Sequence, residues 1–366
     1  MKHLQSHGSL LPAAVAISLF SVWLLSAHVA CRTAPSPSPS QNRNSNPWQS
    51  FHNFAGRRKG DHVSGLANIK QYLHEFGYIS NSSNFTDSFD DTLESALKKY
   101  QQNFNLNATG VLDNTTVQRM VIPRCGNADI INGTSSMNSG KPARMTLHTV
   151  SHYSFFEGNP KWPESQYNLT YAFWPGNQLD NTTKTVFSRA FERWAAVTPL
   201  TFTETDYYLE AEIKIGFYVG DHGDGESFDG SMGTLAHSFS PTTGWFHLDN
   251  EEDWVVEGDV TKSSSTVAID LESVAVHEIG HVLGLGHSSV EEAIMYPSIS
   301  ARTRKTELAD DDIEGIQELY GGNPNSNSSS SSNRDDDSSD GGVRIMDWHR
   351  KLTMVMAALV SFGLLW

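Results

Sequence analysis

Hydrophobic residues recur at helical spacing in the first third of the chain. In "GLANIKQYLHEFGYI" they place Leu66, Ile69 and Leu73 on one face of a helix, and "DTLESALKKYQQNFNL" repeats the pattern. The shorter "DNTTVQRMV" predicts a third helix that Asp113 or Asn114 caps. Three short helices within residues 51–121 predict a small bundle. This segment has no cluster of titratable residues, which favours a structural or inhibitory module.

The hydrophobic period changes farther along the chain. "QYNLTYAFW" and "EIKIGFYVG" alternate apolar and polar positions as strands do, whereas "KTVFSRAFERWAAV" has the spacing of an amphipathic helix. The Gly-, Ser- and Asn-rich stretch "NGTSSMNSGKPA" separates this region from the helical one. Strands mixed with a few helices predict one α+β domain.

The N-terminal end has the order of a secretory signal. Lys2 precedes the apolar run "LLPAAVAISLFSVWLLSAHVA", which predicts a signal peptide over residues 1–30, with a membrane anchor as the less favoured alternative. Residues 31–50 include "TAPSPSPSQNRNSNP" and predict a disordered lead-in.

The C-terminal end predicts a membrane tether. Residues 323–342 form a polar, low-complexity linker, and residues 343–366 add a spacer and the apolar "LTMVMAALVSFGLLW". This order is typical of a GPI-attachment signal that is removed on maturation, with Ser339 or Asp340 as the anchored residue. A transmembrane anchor is the alternative, although the tail is shorter than the roughly 20 residues of a span. Either arrangement places the protein on the outer side of the plasma membrane.

Composition narrows the choice of partners and compartment. A net charge of −16 excludes the basic face that a nucleic-acid partner requires. Several N-x-S/T sequons together support passage through a glycosylating secretory route. They start at Asn81, Asn84, Asn107, Asn114, Asn132, Asn168, Asn181 and Asn327.

The segment "HEIGHVLGLGH", residues 277–287, carries the chemistry. His277 and His281 are four residues apart, so on a helix both imidazoles can reach one zinc ion. The glycines that follow permit a sharp turn that brings His287 round as the third ligand. The fourth tetrahedral position stays open, and Glu278 there can take a proton from water and pass it to a departing amine. A surface His/Glu pair is the alternative for a shorter motif, but the full spacing makes chance remote.

The full motif resembles that of the metzincin endopeptidases, and Ser288 after it is similar to the matrix metalloproteinase branch. The resemblance covers roughly residues 50–322. It implies an α+β zinc endopeptidase with a twisted mixed sheet plus three helices, preceded by a small three-helix prodomain. The propeptide would occupy residues 51–149 and the catalytic domain residues 150–322. The chain has no hemopexin-like segment, and in this respect it resembles the compact plant-type branch of the family.

The segment "AIMYPSI" is similar to the Met-turn of this family. The resemblance implies that Met295 lies beneath the zinc and that Pro297, Ser298 and Ile299 form one wall of the specificity pocket. The small Ser273, four residues before the first histidine, implies a deep pocket that accepts Leu, Met or an aromatic residue just after the cut. Upstream, "SMGTLAHS" predicts an edge strand that pairs with an extended substrate.

A loop-rich segment offers further metal ligands. One tetrahedral set suits a structural zinc: His222, Asp224, His237 and His247. Six oxygen donors suit calcium: the carboxylates or carbonyls of Asp229, Gly230, Met232, Thr234, Asp249 and Glu252. Such loops are commonly only solvated, and it is the resemblance that supports both sites. Glu212 matches a ligand of a second calcium site of the family, but Trp245 stands where that site has an aspartate.

The segment "PRCGNAD", residues 123–129, contains one of the two cysteines of the chain. A buried thiol or an intermolecular disulfide is the ordinary interpretation of an isolated cysteine. The segment resembles the propeptide switch of the same family, which implies that Cys125 occupies the fourth zinc position and excludes water. The resemblance also implies a supporting ion pair between Arg124 and Asp129. Ala128 replaces the proline of the family, which would loosen the turn and weaken latency.

The sequence therefore predicts a secreted, monomeric zinc endopeptidase that is anchored at the cell surface. Its cofactors would be zinc and calcium, its substrates extracellular proteins or peptides, and another protease would activate it by a cut within about residues 130–153. One alternative is an astacin- or reprolysin-like peptidase, against which Ser288 and the cysteine switch argue. The other is a non-catalytic surface protein that keeps zinc for structure or adhesion, against which Glu278 argues.

Overall fold

The N-terminal part of the protein is a bundle of three helices. The computed structural model describes residues 46–80, 84–137 and 152–325. The bundle consists of α1 (Leu66–Glu75), α2 (Asp91–Asn103) and α3 (Asn114–Met120). Asp90 and Asp113 begin α2 and α3 by accepting hydrogen bonds from the backbone N–H groups of Leu93 and Thr116. The predicted three-helix prodomain is confirmed.

The core of this prodomain is rich in aromatic rings. Trp48 packs edge-on against Tyr72 at a centroid distance of 4.9 Å, and Tyr72 contacts Phe76 at 4.8 Å. Trp48 is only 6 % exposed, and a 3₁₀ turn begins directly after it. The disordered lead-in assigned to residues 31–50 was therefore too long, because burial of one large aromatic side chain orders its C-terminal end despite the polar composition.

The strands of the described residues are short. They are β1 (Arg124–Cys125), β2 (Ile130–Ile131), β3 (Thr134–Ser135), β4 (Asn168–Phe173), β5 (Thr201–Glu204), β6 (Ile213–Tyr218), β7 (Thr234–Ser238), β8 (Trp245–Asp249), β9 (Trp254–Val255) and β10 (Ile269–Asp270). One mixed sheet has the order β1-β7-β8-β6-β4-β5, in which the β7–β8 pair is antiparallel and the others are parallel. β1 belongs to the prodomain segment and pairs with β7. The prodomain therefore covers a sheet edge that β7 would otherwise expose.

Helices on one face of the sheet complete the catalytic domain. They are α4 (Asn181–Val197), α5 (Leu271–Val282) and α6 (Asp310–Tyr320). The indole N–H of Trp194 on α4 donates to the carbonyl of Val276 on α5 over 2.9 Å, and Phe187 meets Phe246 of the sheet at 5.8 Å. Every residue of α5 is buried. The predicted mixed sheet with three helices is confirmed, and it fixes α5 in the centre of the core.

The two domains share one aromatic residue. Tyr296 belongs to the catalytic segment, but it is 4 % exposed and lies in the hydrophobic core of the prodomain. Its ring contacts Phe104 edge-on at 5.8 Å, and the guanidinium of Arg119 lies 5.5 Å from the ring centroid. The prodomain therefore packs against the same segment that continues into Pro297, Ser298 and Ile299.

Several predictions fall outside the described residues. These are the signal peptide, most of the lead-in, the terminal linker, the GPI signal, Ser339 and Asp340, and the sequons at Asn81 and Asn327. Within the described ranges, no helix is both long and apolar enough to span a membrane. The other sequon asparagines are all exposed: Asn84, Asn107, Asn114, Asn132, Asn168 and Asn181.

Candidate metal centre

Helix α5 and the turn after it position three histidines. His277 and His281 lie one turn apart on α5, as their spacing predicts. Gly284 then adopts a φ of +107°, and a Cβ at this residue would lie 2.2 Å from the carbonyl oxygen of Pro160. Only glycine fits that turn, which brings His287 back towards the helix.

A cysteine of the prodomain completes the cluster. The ligand atoms of His277, His281, His287 and Cys125 all lie within 4.8 Å of one another, and all four residues are buried. The Sγ atom of Cys125 is 3.4 Å from Nε2 of His281. The structure thus brings together the four residues that the two separate motifs predicted.

The donor set fits a metal ion. Nε2 of His277 and Nε2 of His287 are buried and have no hydrogen-bond partner within the described part of the chain. Burial lowers the pKa of all three imidazoles, so they are neutral at pH 7, while burial raises the pKa of the Cys125 thiol. Neutral imidazole nitrogens and one sulfur that converge on a point form a set suited to tetrahedral zinc.

Glu278 lies beside this cluster and is fully buried. Its Oε2 accepts a hydrogen bond from the hydroxyl of Ser238, whereas Oε1 has no partner in the described ranges. Burial raises the pKa of Glu278 to about 7, against the opposing effect of the Ser238 hydrogen bond. A carboxyl group with a pKa near neutrality can both accept and donate a proton.

Met295 lies beneath the metal-binding helix. A Cβ at Gly280 would come within 2.2 Å of the Met295 sulfur, so the helix and the turn are in close contact there. Asp312 of α6 holds this turn by accepting the backbone N–H groups of Ile294 and Met295 over 2.8 and 3.0 Å. Asp312 was not recognised in the sequence, because its partners are distant along the chain.

Residues 123–129, which we call the switch segment, lie in the cleft between β7 and the wall formed by Pro297, Ser298 and Ile299. The N–H groups of Arg124 and Gly126 donate to the carbonyls of Gly233 and Ala236, both over 2.8 Å. On the other side, the N–H of Cys125 donates to the carbonyl of Pro297 over 2.9 Å. The segment runs parallel to β7 and antiparallel to the wall at Ser298.

Asn127 adds contacts that the sequence did not reveal. Its Oδ1 accepts the N–H of Ser238 over 3.0 Å, and its Nδ2 donates to the Ser238 carbonyl over 2.7 Å. The carbonyl of Ala128 accepts a hydrogen bond from the Ser136 hydroxyl over 3.0 Å. Hydrogen bonds therefore hold the turn that lacks the proline of the family.

Arg124 and Asp129 form the predicted pair, and it is fully buried. Nη1 and Nη2 of Arg124 reach the two carboxylate oxygens over 2.9 and 2.7 Å. The guanidinium lies 3.7 Å from the ring centroid of Phe76. Burial alone would raise the pKa of Asp129, but Arg124 and His287 lower it well below its usual range. The pair is thus ionised and joins the switch to the prodomain core.

The second predicted zinc set also converges. Asp224 Oδ2 is 2.9 Å from His222 Nε2, 2.7 Å from His237 Nε2 and 2.8 Å from His247 Nδ1. Together these atoms lie within 4.8 Å of one another. Burial lowers the pKa of His237 to about 4, although Asp224 acts in the opposite direction. Three imidazoles around one carboxylate form a closed set of metal donors.

The predicted calcium loop gathers the carboxylates of Asp229, Asp249 and Glu252. Burial raises the pKa of Glu252 to about 8 and that of Asp249 to about 6. Both carboxylate oxygens of Glu252 are buried without a partner in the described residues. Gly230 and Met232 adopt positive φ angles of +89° and +62°. Thr234 completes the predicted set and donates its N–H to Asp229 over 3.0 Å.

Glu212, the ligand of the doubtful second calcium site, is engaged elsewhere. Its Oε2 accepts the backbone N–H of Thr170 over 2.9 Å and the hydroxyl of the same residue. Trp245, which replaces the expected aspartate, is 40 % exposed, and its side chain has no oxygen that could bind calcium.

A pocket beside the metal centre is lined by the residues that the sequence predicted for the specificity pocket. Ser273, Pro297, Ser298 and Ile299 line it together with Leu235, Val274 and Ile294. Lys305 also lines the pocket and was not predicted. Its N–H donates to the Ser273 hydroxyl over 2.8 Å, and its Nζ donates to the carbonyl of Ala293 over 2.6 Å. No local sequence pattern marks this lysine, because its partners Ser273 and Ala293 lie 32 and 12 positions away along the chain.

Comparison with known proteins decides the family. The profile of the matrixin peptidases matches residues 161–321, and the profile of a peptidoglycan binding domain matches residues 63–120. Metalloendoproteinase 5-MMP of Arabidopsis thaliana is 53 % identical over 315 residues, which are 85 % of this chain and 86 % of that protein. The chain belongs to the matrixin family of metallopeptidases.

Other relatives agree with this assignment. Metalloendoproteinase 1 of Glycine max is 46 % identical to the matrixin over 88 % of this chain and 99 % of its own length. Stromelysin-2 of Rattus norvegicus is 33 % identical over 77 % of this chain and 54 % of its own. The matrixin is a zinc metalloendopeptidase that acts on proteins, and its buried His/Cys cluster has a donor set that suits the zinc that the family implies.

Removing the positive half of the buried pair tests how the switch is held. We expect Arg124→Met to lower the free energy of unfolding by about 3–5 kcal/mol, because it leaves Asp129 as a buried charge without its main partner. Urea unfolding of the whole chain measures this. Lys98→Met is the matched control, since Lys98 pairs with Glu94 at the surface. Equal losses in both variants would contradict the assigned importance of the buried pair.

Proposed function

We propose that this matrixin is a secreted zymogen whose Cys125 blocks the metal centre, and that the released enzyme hydrolyses extracellular proteins with Glu278 as general base. The supporting observation is the four-residue cluster, which draws three histidines from the catalytic domain and its fourth donor from the prodomain. The proposed activating cut, within about residues 130–153, lies C-terminal to Cys125 and would free it.

Glu278 would move the proton during hydrolysis. His277, His281 and His287 would hold the zinc, which supplies Lewis-acid chemistry by polarising the scissile carbonyl and making a water molecule more acidic. Glu278 would accept the proton at Oε1 and then pass it to the leaving amine. The Ser238 hydroxyl, bound to Oε2, would keep the carboxylate oriented during both steps.

The cleft that the switch occupies is the proposed substrate site. An extended peptide there could donate to the carbonyls that the prodomain now uses, namely those of Gly233, just before β7, and Ala236 of β7. Pro297 offers a carbonyl on the opposite side. Backbone pairing on both sides would hold the scissile bond beside the metal centre with little dependence on sequence.

Latency and catalysis can be tested on the purified whole chain with a quenched Pro-Leu-Gly-Leu-type peptide. We expect little cleavage before treatment, cleavage after a mercurial thiol reagent, and loss of that cleavage with a zinc chelator. Glu278→Ala should remain inactive after the reagent while it still binds zinc. Full activity before treatment would refute latency through Cys125, and an active Glu278→Ala variant would refute the general base.

We further propose that His222, Asp224, His237 and His247 hold a structural zinc and that the loop of Asp229, Asp249 and Glu252 holds calcium. The two buried oxygens of Glu252, which have no hydrogen-bond partner among the described residues, support the calcium site most directly, since such a carboxylate is costly unless a cation or a donor meets it.

Glu252→Gln tests the calcium site. Calcium at about 100 times its dissociation constant should stabilise the parent by roughly 2.7 kcal/mol, and the variant much less, because it lacks one charged ligand. Thermal unfolding at graded calcium concentrations measures the difference. Glu257→Gln is the control, since Glu257 is exposed and outside the loop. The same calcium effect in all three proteins would remove Glu252 from the site.

The pocket around Ser273 is the proposed determinant of the residue just after the cut. Its apolar walls favour Leu, Met or an aromatic side chain there. We expect kcat/KM for peptides with Leu at this position to exceed that for Ala by at least about tenfold. Peptides varied only at the residue before the cut serve as the control. A preference for small or acidic residues after the cut would contradict this pocket assignment.

We also propose secretion, glycosylation and GPI anchoring at the plasma membrane, with the enzyme acting as a monomer. The exposure of all described sequon asparagines is compatible with glycans on either domain. The anchor and the signal peptide stay predictions from the sequence, because Ser339, Asp340 and residues 1–30 lie outside the described ranges.

A further inference from the structure

The three metal-binding histidines differ in what orients them. Each imidazole uses Nδ1 for a hydrogen bond, and this leaves Nε2 facing the centre of the cluster. For His277 and His281 the acceptors are backbone carbonyls of the catalytic domain, those of Ile294 at 2.7 Å and Leu285 at 2.8 Å. For His287 the acceptor is the carboxylate of Asp129, at 2.9 Å, which belongs to the propeptide.

Asp129 is held rigidly in this position. Its Oδ1 accepts both His287 Nδ1 and Arg124 Nη2, and its Oδ2 accepts Arg124 Nη1 and the hydroxyl of Tyr78 at 2.8 Å. Its backbone N–H donates to the carbonyl of Phe76 over 3.1 Å. Asp129 and His287 are both fully buried, so water does not compete for the contact.

We propose that Asp129 is a positioning residue for the metal: its carboxylate orients His287 and slows zinc loss from the proform, independently of the Cys125 ligand. The inference rests on the zinc site proposed above. A carboxylate that accepts the second ring N–H of a metal-binding histidine fixes the tautomer and makes the other nitrogen a better ligand.

This role is separate from the ion pair with Arg124. The pair uses both oxygens of Asp129 to hold the switch segment, whereas the contact to His287 uses Oδ1 alone. The propeptide would thus supply two elements of the metal centre, a ligand and the partner of another ligand. Activation would remove both at once and leave His287 as the histidine without its buried acceptor.

The test measures zinc release from the whole chain into a colorimetric chelator, in a Cys125→Ser background that removes the thiol ligand. We expect Asp129→Asn in this background to release zinc about 10- to 100-fold faster than Cys125→Ser alone. Tyr78→Phe is the matched control, because it removes a hydrogen bond to Oδ2 and leaves the contact between Oδ1 and His287. Its release rate should equal that of the background.

The outcomes separate this inference from the proposed function. A Cys125→Ser protein that binds no zinc would overturn the zinc site itself. Zinc binding with equal release rates for Asp129→Asn and the background would overturn only the role of Asp129.

If Asp129→Asn fails to fold, Asp129→Glu keeps the charge opposite Arg124 but displaces the oxygen from His287, and it should also accelerate release. In the cobalt-substituted background, Asp129→Asn should shift the visible absorption bands and Tyr78→Phe should not; unchanged bands in both would refute the inference.

Discussion

The buried pair of Arg124 and Asp129 connects the prodomain core, the segment that carries Cys125 and the third histidine of the metal centre. A guanidinium and a carboxylate without access to water are stable only when their geometry and their other hydrogen bonds are nearly complete. Here the pair is bidentate, the guanidinium lies on the ring of Phe76, and the carboxylate also meets Tyr78 and His287. Satisfying one ion pair therefore requires the prodomain core, the switch segment and the third histidine to be in place together.

The pair also explains how Cys125 is held at the buried metal centre. Cys125 is adjacent to Arg124 and four residues before Asp129, so the two ends of the pair clamp the turn that carries the thiol. Edge pairing with β7 and the side-chain contacts of Asn127 add directional hydrogen bonds on the same segment. These hydrogen bonds restrict the turn at Ala128, where a proline would restrict the backbone through its ring.

Local patterns account for a large part of the fold and the site. The spacing of His277 and His281 and the glycine turn at residue 284 follow from rules that act over a few residues, and each is present as expected. Trp48, Asn127, Asp312 and Lys305 could not be assigned in this way, because their partners are distant along the chain and the sequence does not show which loops will meet. The contact between Asp129 and His287 belongs to the same group, since it joins residues 158 positions apart.

The position of Tyr296 affects how the protein unfolds. This residue follows Met295 in the catalytic domain, yet its ring is counted in the core of the prodomain. If either domain unfolded alone, the buried ring of Tyr296 would become exposed. The packing of this ring therefore couples the stability of the two domains. We therefore expect the two domains to unfold in one cooperative transition, because the segment that forms the pocket wall contributes to both cores.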